Sequence, residues 1–345
     1  MDEGKSRHMA TRPKVVISNW VHPEVVELLA RSCAVVPNDT RDALAPVELL
    51  RRCRDAHALL AFMPERIEDA FLAACPNLRI IACALKGYDN FDVEACTRRG
   101  VWLTIVPDLL AAPTAELTIG LMIALGRNIL AGDELVRSGR FQGWRPVLYG
   151  QGIDGSTVGL FGAGAVGKSV ARHLAGFRAT LLYFDNVALL PQEEEELRLR
   201  RVPRDELLQR SDFVVLCVPL TPDTRHLVDR RFLLQMKTGA FLVNTARGSL
   251  VDEAAVGDAL ETGALAGYAA DVFAMEDWAL ADRPAHVPSP LLNAAGKTVF
   301  TSHLGSAVDR VRRGIALQAA NSLLECLRGE TPSGAVNHPV APVLT

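Results

Sequence analysis

Short apolar segments alternate with segments of helical periodicity along most of the chain. Residues 14–18, 58–62 and 79–84 are largely apolar runs, as expected for strands buried on both faces. The segments between them, such as residues 23–30 and 92–99, place apolar side chains at helical spacing. Strands that alternate with short helices predict parallel sheets covered by helices on both faces. The pattern therefore predicts an α/β protein.

The second part of the chain continues this alternation. Its predicted strands are residues 157–161, 180–184, 213–218, 240–244, 265–272 and 298–301. Residues 113–130 predict one long helix that is apolar nearly all round, which should be buried between domains or between subunits. The acidic run at 193–196 predicts a solvated surface turn, and residues 307–327 predict a final helix that packs back on the first sheet.

A glycine pattern follows the strand at residues 157–161. Gly162, Gly164 and Gly167 fit G-x-G-x-x-G, in which the glycines permit a tight turn, the approach of a pyrophosphate and close packing of the next helix. Asp185 ends the following strand, where an acid binds the ribose hydroxyls of an adenosine and repels a 2′-phosphate. Strand, glycines, helix, strand and acid in this order predict a Rossmann domain that binds NAD in preference to NADP.

Length and composition bound the number of domains and the class of partner. A chain of 345 residues, 49% of them apolar, has enough core for two domains. We predict a dinucleotide domain at residues 109–305 and a second sheet domain at residues 1–108 and 306–345, with the cofactor facing a cleft between them. The net charge of −3 argues against a nucleic acid partner. No apolar run reaches the length of a membrane span.

The ends of the chain and the cysteines indicate the compartment. Residues 1–10 are polar, which argues against a secretory signal and predicts an unstructured lead-in, with Met9 as an alternative start. The proline- and alanine-rich C-terminal end should be poorly ordered. The seven cysteines form no C-x-x-C pair and most lie in apolar patterns. They predict free thiols in a reducing cytoplasm, with neither a disulfide nor a metal site.

Three chemically useful side chains follow predicted strands of the dinucleotide domain. Arg247 lies in NTARGS, Glu276 in DVFAMED and His303 in TSHLGS, each a few residues after a strand. An arginine holds an anionic substrate through its planar fork. A histidine beside a carboxylate acts as a general acid or base near neutral pH. Because parallel strands end at one edge of a sheet, we expect these three residues to form a catalytic site.

Several motifs resemble those of the D-2-hydroxyacid dehydrogenase family, in the family's order and across nearly the whole chain. They are GAGAVG, NTARGSLVDE, the spacing from DVF to the glutamate, and HLGS. The resemblance implies two doubly wound parallel-sheet domains, a Rossmann NAD-binding domain and a flavodoxin-like substrate domain, and it implies a homodimer. It also implies that the arginine binds the substrate anion and that the histidine and the glutamate move the proton. Besides the glycines and Asp185, the residues implied along the cofactor are Thr114, Ala165, Val166, Cys217, Val218, Pro219, Thr245, Ala246, Arg247, Asp271, His303 and Gly305.

Longer segments resemble one branch of that family, the phosphonate dehydrogenases, which oxidise phosphite to phosphate with NAD. They include ALKGYDNFDV, RSGRFQGWRPVLYG and GYAADVFAMEDWALADRP. The substrate contacts implied by this resemblance are Met63, Lys86, Gly87, Trp144, Tyr149, Arg247 and Arg312. Because a small dianion offers no carbon body to grip, extra cations at Lys86 and Arg312 suit phosphite better than a hydroxy acid with one carboxylate.

The sequence therefore predicts NAD-dependent oxidation of phosphite, with hydride transfer from phosphorus to nicotinamide and His303 as the candidate base for the attacking water. One alternative is a dehydrogenase of a small carbon 2-hydroxy acid such as glycerate. Another is a scaffold that binds NADH without turnover. Ser302 stands where relatives usually have a proline, which should loosen the backbone before His303.

Overall fold

The computed structural model describes residues 12–294 and 296–339, and these residues form two compact units. Unit 1 lies within Met1–Pro107 and Arg312–Thr345, and unit 2 is Asp108–Val311. The predicted lead-in at residues 1–10, with Met9, and the extreme C-terminal residues 340–345 lie outside the described residues.

Unit 1 is built on a parallel sheet of five strands within its described residues, in the order β2-β1-β3-β4-β5. The strands are β1 (Lys14–Ile17), β2 (Ala34–Val36), β3 (Ala58–Ala61), β4 (Ile80–Cys83) and β5 (Trp102–Thr104). The helices between them are α1 (Pro23–Ala30), α2 (Pro46–Cys53), α3 (Asp69–Ala73) and α4 (Val93–Arg98). This strand order is that of flavodoxin-like folds, as predicted.

Unit 2 contains a parallel sheet of seven strands among the residues described, in the order β12-β11-β10-β9-β6-β7-β8. The strands are β6 (Thr157–Phe161), β7 (Thr180–Phe184), β8 (Leu199–Arg201), β9 (Phe213–Leu216), β10 (Ala240–Asn244), β11 (Leu265–Ala270) and β12 (Thr298–Phe300). The helices are α5 (Ala111–Gly126), α6 (Ile129–Arg137), α7 (Ala165–His173), α8 (Pro191–Leu197), α9 (Arg204–Arg210), α10 (Arg230–Gln235), α11 (Glu253–Thr262) and α12 (Ser289–Asn293), and α13 (Asp309–Leu327) continues into unit 1. The order is the Rossmann order, which confirms the predicted fold class.

The sheet of unit 2 is covered on both faces, as the unbroken apolar runs predicted. Along β9, Val214 and Leu216 join one buried apolar cluster, whereas Phe213 and Val215 join the cluster on the opposite face. Successive side chains of a strand point to opposite faces, so a strand with two buried faces needs apolar residues at every position.

The C-terminal segment covers an edge of the unit 1 sheet. Ala335 pairs with Thr104 of β5 in an antiparallel bridge. The buried Asn337 side chain accepts a 2.8 Å hydrogen bond from the Leu103 N–H and donates to the Val101 carbonyl at 2.9 Å. The backbone groups of an edge strand are thereby paired instead of being left open to other chains.

The prediction of one long helix at residues 113–130 is wrong, because this part of the chain forms two helices, α5 and α6. The chain turns at Asn128, whose φ is 52°, and the two helices are bent by 63°. No space exists beside Gly126, since a Cβ there would lie 2.6 Å from the Gln151 carbonyl oxygen. α5 packs against α7, β10 and β11, inside unit 2. In the described chain no single helix is long and apolar enough to cross a membrane, and α5 with α6 reaches that length only across the bend.

The acidic run at 193–196 lies in helix α8, so the predicted surface turn is also wrong. Pro191 occupies the first turn of the helix, and Leu197 is buried at its end. The acids are paired: Glu193 bonds Lys168 Nζ at 2.6 Å, and Glu194 accepts from the Tyr183 hydroxyl at 2.6 Å. Proline in the first turn and glutamates after it favour a helix start, so the local sequence contained the signal for this helix.

Candidate active site

The glycine turn after β6 is shaped for a dinucleotide. Gly162 has a φ of 106°, and a Cβ there would lie 2.7 Å from the Cys217 carbonyl oxygen. A Cβ on Gly167 would lie 2.3 Å from the Gly162 carbonyl oxygen, so α7 can approach the strand only because this residue is glycine. Gly164 is exposed, with open space where its Cβ would be. The turn thus leaves room for a pyrophosphate at the N-terminus of α7.

Asp185 follows β7 and borders a cavity of about 940 Å³. Its Oδ2 accepts a 2.8 Å hydrogen bond from the Ala163 N–H, and its Oδ1 accepts from the Val187 N–H at 3.0 Å. Gly164 and Pro219 line the same cavity. The carboxylate is therefore fixed beside the glycine turn, in the position that suits the adenosine ribose of a dinucleotide.

His303 and Glu276 form a hydrogen-bonded pair. Nδ1 of His303 lies 2.8 Å from Oε2 of Glu276, and both side chains are partly exposed. Such a carboxylate fixes the ring orientation and favours a proton on Nδ1, which leaves Nε2 to exchange a proton with a substrate. His303 has a φ of 58°, which is uncommon for a residue with a side chain.

Asp271 holds the segment that carries His303. Its Oδ1 accepts from the Thr301 hydroxyl at 2.6 Å and from the Leu304 N–H at 2.7 Å. Its Oδ2 accepts from the Gly305 N–H at 2.8 Å. The side chain predicted to lie along the cofactor is thus engaged with residues on both sides of the histidine, and its contact with the cofactor stays a prediction.

Arg247 follows β10 and lies close to the segment of Glu276. Its Nη1 donates to the Ala246 carbonyl at 2.9 Å, and its carbonyl accepts from Asn244 Nδ2 at 2.8 Å. Arg247, Glu276 and His303 follow β10, β11 and β12, which are neighbours in the sheet. The three predicted catalytic residues therefore lie at the carboxyl ends of neighbouring strands of unit 2.

Other residues predicted along the cofactor fall on the same strand ends or next to them. Ala165 and Val166 begin α7, and a Cβ on the buried Gly305 would lie 3.2 Å from Thr114 Oγ1. Thr245 pairs with Thr118 hydroxyl to hydroxyl at 2.8 Å. The remaining members follow β9 or β10: Cys217, Val218, Pro219 and Ala246. Their contacts with a cofactor stay predictions.

The predicted substrate residues of unit 1 follow two adjacent strands. Met63 comes after β3, and Lys86 and Gly87 come after β4. The guanidinium of Arg312 lies 5.9 Å from the centre of the Phe62 ring, and burial lowers the pKa of Arg312. Their contacts with substrate stay predictions.

Trp144 and Tyr149 lie in the loop between α6 and β6. Their exposed fractions are 83% and 77%, so within unit 2 they pack against little. Their predicted place along the substrate also stays untested.

Two buried acids that follow these strands, Glu253 and Asp277, are not among the residues predicted from the sequence. The available signal was their sequence position, since each closes a motif that carries a predicted catalytic residue, NTARGSLVDE and DVFAMED. Within residues 12–294 and 296–339, no group of three or more histidine, cysteine or acidic side chains is arranged to hold a metal ion. Each of the seven cysteines lies in the described chain as a free thiol.

Comparison with known proteins gives the family. Residues 119–305 match the model of the D-isomer specific 2-hydroxyacid dehydrogenase NAD binding domain. The chain is 36% identical over 337 residues to the glyoxylate reductase of Thermococcus gammatolerans, covering 96% of this chain and 98% of that protein. It is 35% identical over 334 residues to the glyoxylate reductase of Pyrococcus furiosus, covering 95% and 96%. The crystal structure of the TT0316 protein from Thermus thermophilus superposes with a TM-score of 0.84 at 33% identity, over 94% of this chain and all of that one.

The predicted oxidation of phosphite is wrong. The relatives that match over nearly the full length are named glyoxylate reductase, an activity on a small carbon acid. Cations such as Lys86 and Arg247 serve a carboxylate as well as a phosphorus oxyanion, so they did not distinguish the two substrates.

The glycine turn, the fixed acid after β7 and the paired histidine and glutamate at the neighbouring strand ends all lie within the residues that match the family model. This chain binds NAD through unit 2, and it is an NAD-dependent oxidoreductase that belongs to the D-isomer specific 2-hydroxyacid dehydrogenase family.

Proposed function

We propose that the protein reduces glyoxylate, or a 2-oxo acid of similar size, to the corresponding 2-hydroxy acid with NADH, and catalyses the reverse oxidation. The observation that carries this proposal is the His303–Glu276 pair at 2.8 Å, in a chain 36% identical to a glyoxylate reductase over 96% of its length. An acid–base pair also supports an enzyme in preference to a scaffold that binds NADH without turnover.

Residues of unit 2 suit the parts of NAD. The amides at the start of α7 and the turn from Gly162 to Gly167 would hold the pyrophosphate, and Asp185 would hold the adenosine ribose. When bound, the nicotinamide supplies or accepts the hydride. Asp185 would also repel a 2′-phosphate, so NAD is preferred over NADP.

The proton moves through His303. In the direction of reduction, Nε2 of His303 donates a proton to the carbonyl oxygen of the substrate as the carbonyl carbon receives hydride. One proton and one hydride convert the 2-oxo acid into the 2-hydroxy acid, so the reaction balances. Glu276 holds the Nδ1 proton and stabilises the imidazolium before the transfer.

Arg247 holds the substrate carboxylate. A guanidinium can bind a carboxylate with two parallel hydrogen bonds, which orients the adjacent carbonyl towards the histidine. We propose Lys86, Gly87, Met63 and Arg312 as further substrate contacts from unit 1. We also propose Trp144 and Tyr149, of the loop between α6 and β6, as substrate contacts.

We also propose that the protein forms the homodimer that the family resemblance implies. Apolar side chains stand in solvent along α6 and the loop after it, among them Val136, Phe141, Trp144 and Tyr149. Several large exposed apolar side chains within one short segment favour an interaction surface. A homodimer formed through this surface would bury it.

A panel of substrates tests the proposed activity. Purified protein is mixed with NADH and glyoxylate, hydroxypyruvate or pyruvate, and loss of NADH absorbance is followed. We expect turnover of at least one of these acids, with glyoxylate among the best substrates. Tight NADH binding without turnover of any 2-oxo acid contradicts the proposal and favours the scaffold.

A further inference from the structure

Two chain segments carry the predicted chemistry of unit 2. Segment A, residues 245–253, follows β10 and carries Arg247. Segment B, residues 271–277, follows β11 and carries Glu276. Arg247 and Glu276 lie on different segments, so their relative position depends on the contacts between A and B.

A buried carboxylate from each segment binds the backbone of the other. Oδ2 of Asp277, in segment B, accepts a 2.6 Å hydrogen bond from the Ser249 N–H of segment A. Oε1 of Glu253, in segment A, accepts a 2.9 Å hydrogen bond from the Ala274 N–H of segment B. Asp277 is 3% exposed and Glu253 is 5% exposed. The two bonds form a reciprocal clamp.

The backbones of the segments touch between these two bonds. A Cβ on Gly248 would lie 1.8 Å from the carbonyl carbon of Phe273 and 2.1 Å from the Ala274 nitrogen. Real side chains never approach backbone atoms so closely, so segment A can lie against segment B only with glycine here. Gly248 directly follows Arg247, and Asp277 directly follows Glu276.

We propose that Glu253 and Asp277 are positioning residues, which fix Arg247 relative to the Glu276–His303 pair through this reciprocal clamp. The inference rests on the proposed function for the roles of Arg247, Glu276 and His303. Neither acid touches the substrate in this account. Their effect on the reaction passes through the backbone of the segment that each one binds.

The clamp matters for rate because alignment errors are costly. A displacement of about 1 Å between reacting groups can lower a rate roughly 100-fold. Removing Asp277 leaves the buried Ser249 N–H without its acceptor, which favours a shift of segment A. Removing Glu253 leaves the Ala274 N–H without its acceptor, which favours a shift of segment B.

Hydrogen exchange tests the clamp independently of activity. The full-length protein, with NADH bound, is compared with Asp277→Ala and Glu253→Ala by mass spectrometry of peptides. We expect a crossed pattern: Asp277→Ala speeds exchange in peptides of segment A, and Glu253→Ala speeds exchange in peptides of segment B. Loss of protection confined to the substituted segment in both variants overturns the inference.

Enzyme kinetics test the effect of the clamp on the rate of reduction. For Asp277→Ala with glyoxylate, we expect kcat to fall roughly 10- to 100-fold while the Kd for NADH stays within about twofold. Asp277→Asn and Glu253→Gln keep an oxygen that can accept the same backbone bond, so both should retain most of the kcat lost by the alanine variants. Wild-type kcat in Asp277→Ala overturns the inference.

Asp212→Ala is the matched control. Asp212 accepts from the Thr157 N–H at 2.8 Å at the opposite edge of the sheet and also pairs with Lys237. Its loss should lower the Tm and leave kcat within about twofold of wild type. An equal fall of kcat in both variants would show that general destabilisation is responsible, and the clamp would be rejected.

The outcomes separate the clamp from the proposed function. If the wild type turns over no 2-oxo acid, the proposed function fails, and the crossed exchange pattern still decides whether the clamp exists. If the wild type reduces glyoxylate and the crossed pattern is absent, the clamp fails alone. If Glu253→Ala does not fold, Asp277→Ala and Gly248→Ala carry the test, and Gly248→Ala should expose both segments to exchange.

Discussion

The backbone N–H of His303 donates a 2.8 Å hydrogen bond to the Asp271 carbonyl, while the Asp271 carboxylate binds residues on both sides of the histidine. His303 is held in a left-handed conformation, with a φ of 58°. A conformation that is uncommon for such a residue persists only when its surroundings fix it. Asp271 supplies those contacts and thereby sets the direction of the imidazole.

Removal of the Asp271 carboxylate should reduce the rate more than the affinity for the cofactor. We expect Asp271→Ala to lower kcat for glyoxylate by roughly 100-fold because the His303 segment relaxes. Asp271→Asn keeps one acceptor oxygen and should fall between the alanine variant and the wild type. A large rise in the Kd for NADH with little change in kcat would instead indicate that Asp271 contacts the cofactor directly.

The His303–Glu276 pair should control the rate of reduction. His303→Ala should abolish turnover, because the side chain proposed to donate the proton is gone. Glu276→Gln removes the carboxylate that orients the ring and stabilises its charged form, so kcat should fall about 100-fold. The measurement is kcat for glyoxylate at saturating NADH. A kcat unchanged in Glu276→Gln contradicts the role of the carboxylate.

Asp185 should set the preference for NAD. Asp185→Ala removes the charge that would repel a 2′-phosphate, so the ratio of kcat/KM for NADPH to that for NADH should rise by roughly 10-fold or more. Asp154→Ala removes an exposed acid, paired with Arg178, and should leave the ratio unchanged. An unchanged ratio in Asp185→Ala removes this residue from ribose recognition.

Glu65 should make stability depend on pH between 4.5 and about 7. Burial raises the pKa of Glu65 from 4.5 to about 7, although hydrogen bonds from Phe62, Ser18 and Asn19 oppose the rise. In this range the folded state keeps a proton that the unfolded state has released, so the free energy of unfolding falls as pH rises. The loss amounts to roughly 3 kcal/mol and is complete above pH 7.

Thermal unfolding of two variants checks this dependence. Glu65→Gln should flatten the decline of Tm between pH 4.5 and 7 compared with the wild type. Glu68→Gln, at an exposed acid paired with Arg66, should leave the slope unchanged. Burial also raises the pKa of Glu253 to about 7, so part of the decline remains in both variants. Equal slopes in the wild type and Glu65→Gln would contradict the assignment.

The exposed loop after α6 should hold the proposed dimer together. Light scattering of the wild type should give about twice the chain mass of 37.3 kDa. Trp144→Glu places a charge on the apolar surface and should shift the protein towards the monomer. Val47→Glu changes an equally exposed apolar residue of α2 and should leave the mass unchanged. A wild-type monomer at micromolar concentration rules out the dimer.

Repeating local patterns made the fold predictable. The glycine turn and the acid after β7 each rest on residues close in the sequence, and the unbroken apolar runs identified both sheets. The helix break at Asn128 was missed because it depends on Gln151, which lies elsewhere in the chain. Helix α8 was missed although Pro191 and the glutamates after it favour a helix start.

The site was predictable to the extent that it follows strand ends. Arg247, Glu276 and His303 were expected together because β10, β11 and β12 end at one edge, and the 2.8 Å pair agrees with that expectation. The clamp of Glu253 and Asp277 was not expected, because it consists of bonds from side chains to the backbone of another segment. The substrate was mistaken because cations do not distinguish a phosphorus oxyanion from a carboxylate.

The most direct measurement compares two reactions of the purified wild-type protein, NADH with glyoxylate and NAD with phosphite, each followed by NADH absorbance. We predict rapid oxidation of NADH with glycolate formed in equal amount, loss of that reaction in His303→Ala, and no formation of NADH from phosphite. Turnover of glyoxylate that persists in His303→Ala, or inertness towards glyoxylate and the other 2-oxo acids, would contradict the account.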